Sequence, residues 1–294
     1  MFEGVSVAIV TPFQAGAIDE PALRRLLTHL LDQGVDGVVA TGSTGEAATL
    51  TDDEKRRVWS ISVEMCRGKA FVVAGAGTNN TAQSAALART ARDCGVDGLM
   101  VVTPYYNKPT PDGLEAHYRA IAEAAALPIV AYNVPGRTGY NLPPALAARL
   151  AGLPHVVAIK EASGSVDQGM DVMAAAPGLT FLSGEDSLTL PLAAVGGRGI
   201  ISVVGHLVAD EMKAMLAAHA RGEVGEATRR HRHILPLVRA AFLESNPGPI
   251  KYALARLGLI RNELRLPLVP VRTETEARID QALQEAGLLA AAAM

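Results

Sequence analysis

The chain has 294 residues, 49% of them hydrophobic and 19% charged, enough for one large globular domain or two modest ones. Twenty-seven basic residues against thirty acidic ones leave a net charge of −3, which offers no electrostatic footprint for nucleic acid, and the basic run Arg229-Arg230-His231-Arg232-His233 reads as a solvated helix face. No apolar window is long enough for a membrane span, the start Met1-Phe2-Glu3-Gly4 lacks a signal-peptide pattern, and Cys66 and Cys94 sit outside any ligand spacing; the expectation is a reduced, cytoplasmic protein without a membrane partner.

Short β-rich runs alternate with segments of helical period. Strands are expected at 5–12, 37–40, 71–77, 98–106 (with its exit loop), 128–135, 156–160, 179–184 and 199–204. Helices are expected between them at 21–31, 51–68, 81–94, 112–126, 143–150, 167–176, 186–195 and 209–220. Pro21 suits a first turn, Thr51-Asp52-Asp53-Glu54 has the spacing of a capping box, and Gly34 and Gly95 suit helix ends. Eight strand–helix units at spacings of roughly 25 to 30 residues make a (β/α)8 barrel, a TIM barrel, over residues 1–222. A doubly wound sheet is the alternative, but it gives no reason for eight units, and no G-x-G-x-x-G follows the first strand. Residues 223–294 read as a C-terminal helical appendage with helices at 223–244, 249–257 and 273–287; the prolines of 266–270 demote that run as a strand, and the Ala-rich tail 288–294 is expected to fray.

In this architecture active sites lie at the carboxyl ends of the strands. The chemistry-bearing residues there are Thr11, Ser43, Thr44, Tyr105, Tyr106, Tyr132, Lys160 and His206, with Gly77 and Gly184. No His/Asp/Glu cluster of metal-ligand character appears among them, and Gly196-Gly197-Arg198 precedes the eighth strand, at the wrong face for a phosphate cradle. What stands out is Lys160, at the end of the apolar run Val156-Val157-Ala158-Ile159. Desolvation there lowers an amine's pKa, and a neutral amine attacks a carbonyl carbon. The plainer reading is a lysine that snorkels to solvent or pairs with Glu161. Tyr132, at the end of the neighbouring strand, would serve as a proton carrier, or would be a core tyrosine with a satisfied hydroxyl. Gly42-Ser43-Thr44-Gly45-Glu46 offers hydroxyls and N–H groups to a small carboxylate, or is an ordinary turn. Arg137, in the loop after the fifth strand, would clamp a second carboxylate, or is a surface arginine.

These motifs, with Thr103-Pro104-Tyr105-Tyr106-Asn107-Lys108-Pro109, Tyr132-Asn133-Val134-Pro135-Gly136-Arg137-Thr138-Gly139, Ser183-Gly184-Glu185-Asp186 and Asn246-Pro247-Gly248-Pro249-Ile250-Lys251, resemble the dihydrodipicolinate synthase family, among the pyruvate-dependent class I aldolases that include N-acetylneuraminate lyase. The resemblance covers essentially the whole chain. It implies that Lys160 forms a Schiff base with pyruvate, without any other cofactor, and that Tyr132 donates and accepts protons. It implies that Ser43 and Tyr106 complete a proton relay, Tyr106 in the neighbouring subunit's site. Thr44 and the backbone around Ile201 are implied to hold pyruvate, Gly184 to line the pocket, and Arg137 to bind the carboxylate of aspartate semialdehyde. A homotetramer built from tight dimers is implied as well. A related aldolase or dehydratase acting on another aldehyde or 2-keto-3-deoxy acid is the alternative, and a non-catalytic acid-binding barrel a third.

Three departures from the family pattern stand out. Ser43 replaces a common threonine, and Gly-Ser-Thr-Gly-Glu is also the lyase form. His206 stands where asparagine is frequent. At positions that bind inhibitory lysine in some members, this chain has Ala47, Lys55 and Gln83 beside Asn79 and Tyr105. Lys55 would repel a lysine ammonium, so weak or absent inhibition by lysine is expected.

Overall fold

A computed structural model of the chain describes residues 1–290; the end of the tail expected to fray, 291–294, lies outside the described residues. Eight parallel strands close into a barrel: β1 (Gly4–Ala8), β2 (Gly37–Ala40), β3 (Phe71–Gly75), β4 (Gly98–Val102), β5 (Ile129–Asn133), β6 (Val156–Glu161), β7 (Thr180–Ser183) and β8 (Gly199–Ser202). β1 closes the ring, pairing Val7 with Ser202 of β8 on one side and with Val38 of β2 on the other. Alternate residues turn inward. Val39, Val73, Met100, Val130, Ala158, Leu182 and Ile201 fill the barrel axis. Their sequence neighbours Val38, Val72, Val101, Ala131, Ile159, Phe181 and Ile200 pack against the helices. Both faces are buried, which is why the strands read as unbroken apolar runs.

Helices α1 (Glu20–Asp32), α2 (Asp52–Cys66), α3 (Thr81–Asp93), α4 (Pro111–Ala125), α5 (Pro144–Ala151), α6 (Val166–Ala175), α7 (Thr189–Ala194) and α8 (Gly205–Ala220) follow the strands in turn. The expected capping box opens α2, with the Glu54 N–H donating to Thr51 Oγ1 at 3.2 Å and the Thr51 N–H donating to Glu54 Oε2 at 2.9 Å. Among the described residues three helices follow the barrel: α9 (Val224–Ala241), α10 (Gly248–Arg256) and α11 (Thr273–Glu285). Gly222, at φ 78°, follows the end of α8 and leads into α9.

Some element bounds differ from expectation. β1 stops at Ala8, and a two-residue hairpin, Phe13–Gln14 with Ala17–Ile18, follows Pro12. α8 starts at Gly205 and kinks at Val208. A one-turn helix at Pro135–Thr138 carries Arg137, because Pro135 presets the first turn and Gly139 ends it at φ 68°. Beneath the barrel, the Phe2 and Phe71 rings lie 5.1 Å apart. Glycine at 37 is required there, since a Cβ would stand 2.0 Å from the Phe71 ring. Among the described residues no helix is long and apolar enough to cross a membrane.

Candidate active site

Tyr132 and Lys160 are register partners across β5 and β6, so both side chains point into the barrel at its carboxyl end. Lys160 is 5% exposed. It neither snorkels nor pairs with Glu161, whose carboxylate instead accepts from Asn133 Nδ2 at 2.9 Å and from the Ser163 N–H at 2.7 Å. Burial pulls the Lys160 pKa down to about 8, against the opposing pull of the Asp186 and Glu185 carboxylates. Its Nζ stands 4.4 Å from the Tyr132 ring centroid. Burial pushes the Tyr132 phenol up to about 12, while Arg137 and the neighbouring Ser43 hydroxyl favour its ionised form. A partly deprotonated amine beside a protonated phenol is a nucleophile with a proton source.

The turn after β2 carries Ser43 and Thr44. Thr41, at its start, holds a left-handed φ of 58°, a strained state for a β-branched residue. It is held there by Trp59, whose Nε1–H donates to Thr41 Oγ1 at 2.7 Å. Ser43 is exposed to the cavity and lines it together with Tyr132, Arg137 and Tyr105. The cavity measures about 720 Å³. Thr44 is buried, and its Oγ1 accepts from Asn246 Nδ2 at 2.9 Å, leaving the Thr44 hydroxyl hydrogen available to a ligand.

Gly184 is needed for Lys160 itself, since a Cβ at that position would lie 3.0 Å from Lys160 Cε and 2.6 Å from the Ala162 Cβ. Ile201 packs inside the barrel in one cluster with Tyr132, Ala162 and Leu182. Arg137 Nη2 donates to the Asn246 carbonyl at 2.9 Å. Tyr106 stands apart: it is 90% exposed, its φ is 73°, and it does not line the cavity of its own chain. Lys160, Tyr132, Ser43, Thr44, Gly184, Ile201 and Arg137 thus gather at one end of the barrel, with Ser43, Tyr132 and Arg137 lining the cavity and Lys160, Thr44, Gly184 and Ile201 behind that lining, while the exposed Tyr106 does not join them within a single chain. Among the described residues no group of three or more His, Cys, Asp or Glu side chains is placed to hold a metal ion.

His206, whose role was open, is a structural residue. It is fully buried, its Nε2 accepts from the Val10 N–H at 3.1 Å, and its Nδ1 donates to the Val203 carbonyl at 2.7 Å. Two further residues at the site were quoted above only as motif members. Asp186 is buried beside Lys160 and accepts from Ser202 Oγ and from the Val203 N–H at 3.1 Å. Asn246 reaches Thr44 and Arg137 from the appendage. Its Pro- and Gly-rich surroundings, Asn246-Pro247-Gly248-Pro249, were the only local signal.

Residues 1–286 match the dihydrodipicolinate synthetase family. The chain belongs to that family. The 4-hydroxy-tetrahydrodipicolinate synthase of Moorella thermoacetica is 48% identical over 287 residues, which is 97% of this chain and 98% of that one. The dihydrodipicolinate synthase structure from Thermotoga maritima superposes with a TM-score of 0.95 at 43% identity, covering 98% of this chain and 100% of its own. That of Acinetobacter baumannii, described as a complex with pyruvate, gives a TM-score of 0.95 at 38% identity over 98% and 100% of the two chains. Family membership thus joins a site that carries a buried, register-paired lysine and tyrosine.

Proposed function

We infer that the protein condenses pyruvate with L-aspartate 4-semialdehyde to give 4-hydroxy-tetrahydrodipicolinate, a lyase reaction of lysine and diaminopimelate biosynthesis. The observation that carries this reading is the Tyr132–Lys160 pair, an amine held near pKa 8 against a phenol held near 12, in a chain of this family. The neutral Lys160 amine attacks the pyruvate ketone and forms a carbinolamine. Tyr132 supplies the proton with which water leaves, and the imine remains. Loss of a methyl proton from that imine gives an enamine, which attacks the aldehyde carbon. The amine of the second substrate then displaces Lys160 and closes the ring. The imine is the electron sink, so the chemistry proposed needs no cofactor beyond Lys160.

Ser43 stands where it can extend the proton path from Tyr132, and Thr44, with the backbone around Ile201, is assigned to the pyruvate carboxylate. Arg137, which lines the cavity, is assigned to the carboxylate of the aldehyde. The strained, exposed Tyr106 supports a tight dimer in which each copy lends this phenol to its partner, two dimers making a tetramer; sedimentation of the purified chain tests that assembly. One solved neighbour, 43% identical, is described as a monomeric variant, so the assembly has to be measured on this chain. The free cysteines suit a cytoplasmic compartment.

Borohydride reduction in the presence of pyruvate, read by mass spectrometry, is expected to place one adduct on Lys160; no adduct there removes the Schiff-base reading. Coupled turnover with aspartate semialdehyde, N-acetylmannosamine and short aldehydes identifies the second substrate. Turnover is expected with the first of these, and a preference for the others moves the protein to a lyase-like aldolase.

A further inference from the structure

The turn that presents Ser43 and Thr44 is anchored at both ends. Thr41 and Trp59 hold its start. Its end is Glu46, in the left-handed region at φ 54°. The Glu46 carboxylate is fully buried against the Lys251 ammonium of α10, with both side chains 0% exposed. The remaining groups of the pair are matched as well. The Arg265 N–H donates to Glu46 Oε2 at 3.0 Å, and Lys251 Nζ donates to the Glu263 carbonyl at 2.7 Å while standing 4.2 Å from the Phe13 ring centroid. Between the anchors the turn closes on itself, the Glu46 N–H donating to the Ser43 carbonyl at 3.1 Å and Thr11 Oγ1 to the Gly45 carbonyl at 2.7 Å.

A buried ion pair is weak evidence for stability, because desolvating two charges offsets most of their attraction. It is better suited to setting a geometry, since one buried charge has a single place to go. Here that place lies on the helix whose preceding segment supplies Asn246 to Thr44 and to Arg137. We propose that Glu46 and Lys251 are positioning residues for the reaction. Their pairing locks the Ser43–Thr44 turn against the helical appendage and so sets the Thr44 hydroxyl assigned to pyruvate, and Ser43 beside it, relative to Lys160. The appendage is thereby a wall of the active site.

This proposal rests on the assignment of pyruvate to Lys160. Trapping on the unaltered protein tests that assignment separately, since failure there removes both and success leaves the pair to be tested alone. The informative variant is the double substitution Glu46→Leu with Lys251→Met, which removes both charges together and leaves neither unpaired in the core. Glu46→Gln is its graded companion, keeping an acceptor for the Arg265 N–H. Thermal melting checks that each variant folds. In the double variant the pyruvate concentration that half-saturates adduct formation is expected to rise about tenfold, the worth of one good binding hydrogen bond. The adduct at saturating pyruvate stays complete, because Lys160 and Tyr132 are held by their own strands. Glu46→Gln is expected to show a smaller rise in the same direction. Unchanged half-saturation in a folded double variant overturns the proposal. So does unfolding of both variants, which would assign the pair to stability alone.

Discussion

Lys160 and Tyr132 sit opposite one another in the β5–β6 register, amine over ring at 4.4 Å, and both are buried. The same burial acts on them in opposite senses, lowering the pKa of the cation and raising that of the phenol. Nucleophile and acid are therefore tuned by one cause.

The first consequence is a pH dependence. With a pKa of about 8, roughly one Lys160 in ten is neutral at pH 7, against well under one in a thousand for an unperturbed lysine. The rate of pyruvate adduct formation is expected to climb with pH and level off above about 8. A plateau reached only near 10 would mean that burial does not tune this amine. The stability effect has the same sign. The unfolded chain holds this proton up to the ordinary lysine value of 10.5 and the folded chain releases it at about 8, so stability from this group rises with pH between those values, and its burial penalty is fully present below the lower one.

Tyr132→Phe removes the phenol and keeps the ring under Lys160. Turnover is expected to fall on the order of 10² to 10⁴-fold, the usual worth of a positioned proton donor. The Lys160 adduct should still form with pyruvate, more slowly. Steady-state kinetics with parallel trapping measures both, and a loss smaller than threefold would assign the proton to another group.

Gly184→Ala places a methyl 3.0 Å from Lys160 Cε and 2.6 Å from the Ala162 Cβ. Overpacking of this kind costs about 1–3 kcal/mol, and relief comes by displacing the lysine. A lower melting temperature and slower adduct formation are expected. Gly225→Ala is the control, since a methyl there meets nothing within 4 Å on the exposed first turn of α9. Equal behaviour of the two variants contradicts the packing argument.

Arg137→Ala is expected to raise the KM for aspartate semialdehyde about 10 to 100-fold, as for a lost charge-assisted contact, with the pyruvate adduct unaffected. If turnover of that aldehyde is unchanged, Arg137 is only a prop for Asn246.

Lysine is expected to inhibit weakly or not at all. Lys55 is buried near Asp52, at 3.4 Å, and lines the same cavity as Gln83, Ala47 and Tyr105. A second ammonium entering there meets the Lys55 cation, and the Asp52 carboxylate lining the same cavity is already paired with it. Inhibition at sub-millimolar lysine in the coupled assay would refute this.

Much of the barrel was legible because its signals are local. An apolar run buried on both faces marks a strand, and the order of eight such runs marks their carboxyl ends, which is how Lys160 and Tyr132 came onto one short list. The capping box of α2 was equally plain, since its partners are three residues apart. His206 could not be resolved in this way, because the group that explains it, the Val10 N–H, lies 196 positions away. Glu46 was read as the end of a turn, for its partner Lys251 is 205 positions on, across an interface that no periodicity reveals. Glu161 was a plausible mate for Lys160 until its carboxylate was seen bonded to Asn133.

The sequence by itself determined the strand–helix alternation, the position of a lysine at the end of the sixth strand, and the motifs of the family. Those follow from spacing along the chain, where residue period and side-chain direction are tied by backbone geometry. Tertiary structure alone decided that Lys160 is buried rather than extended to solvent, that Tyr132 is its register partner, and that a helix beyond the barrel braces the turn carrying Ser43 and Thr44. Desolvation and long-range pairing depend on what surrounds a group in three dimensions, and those surroundings come from segments far apart in the chain.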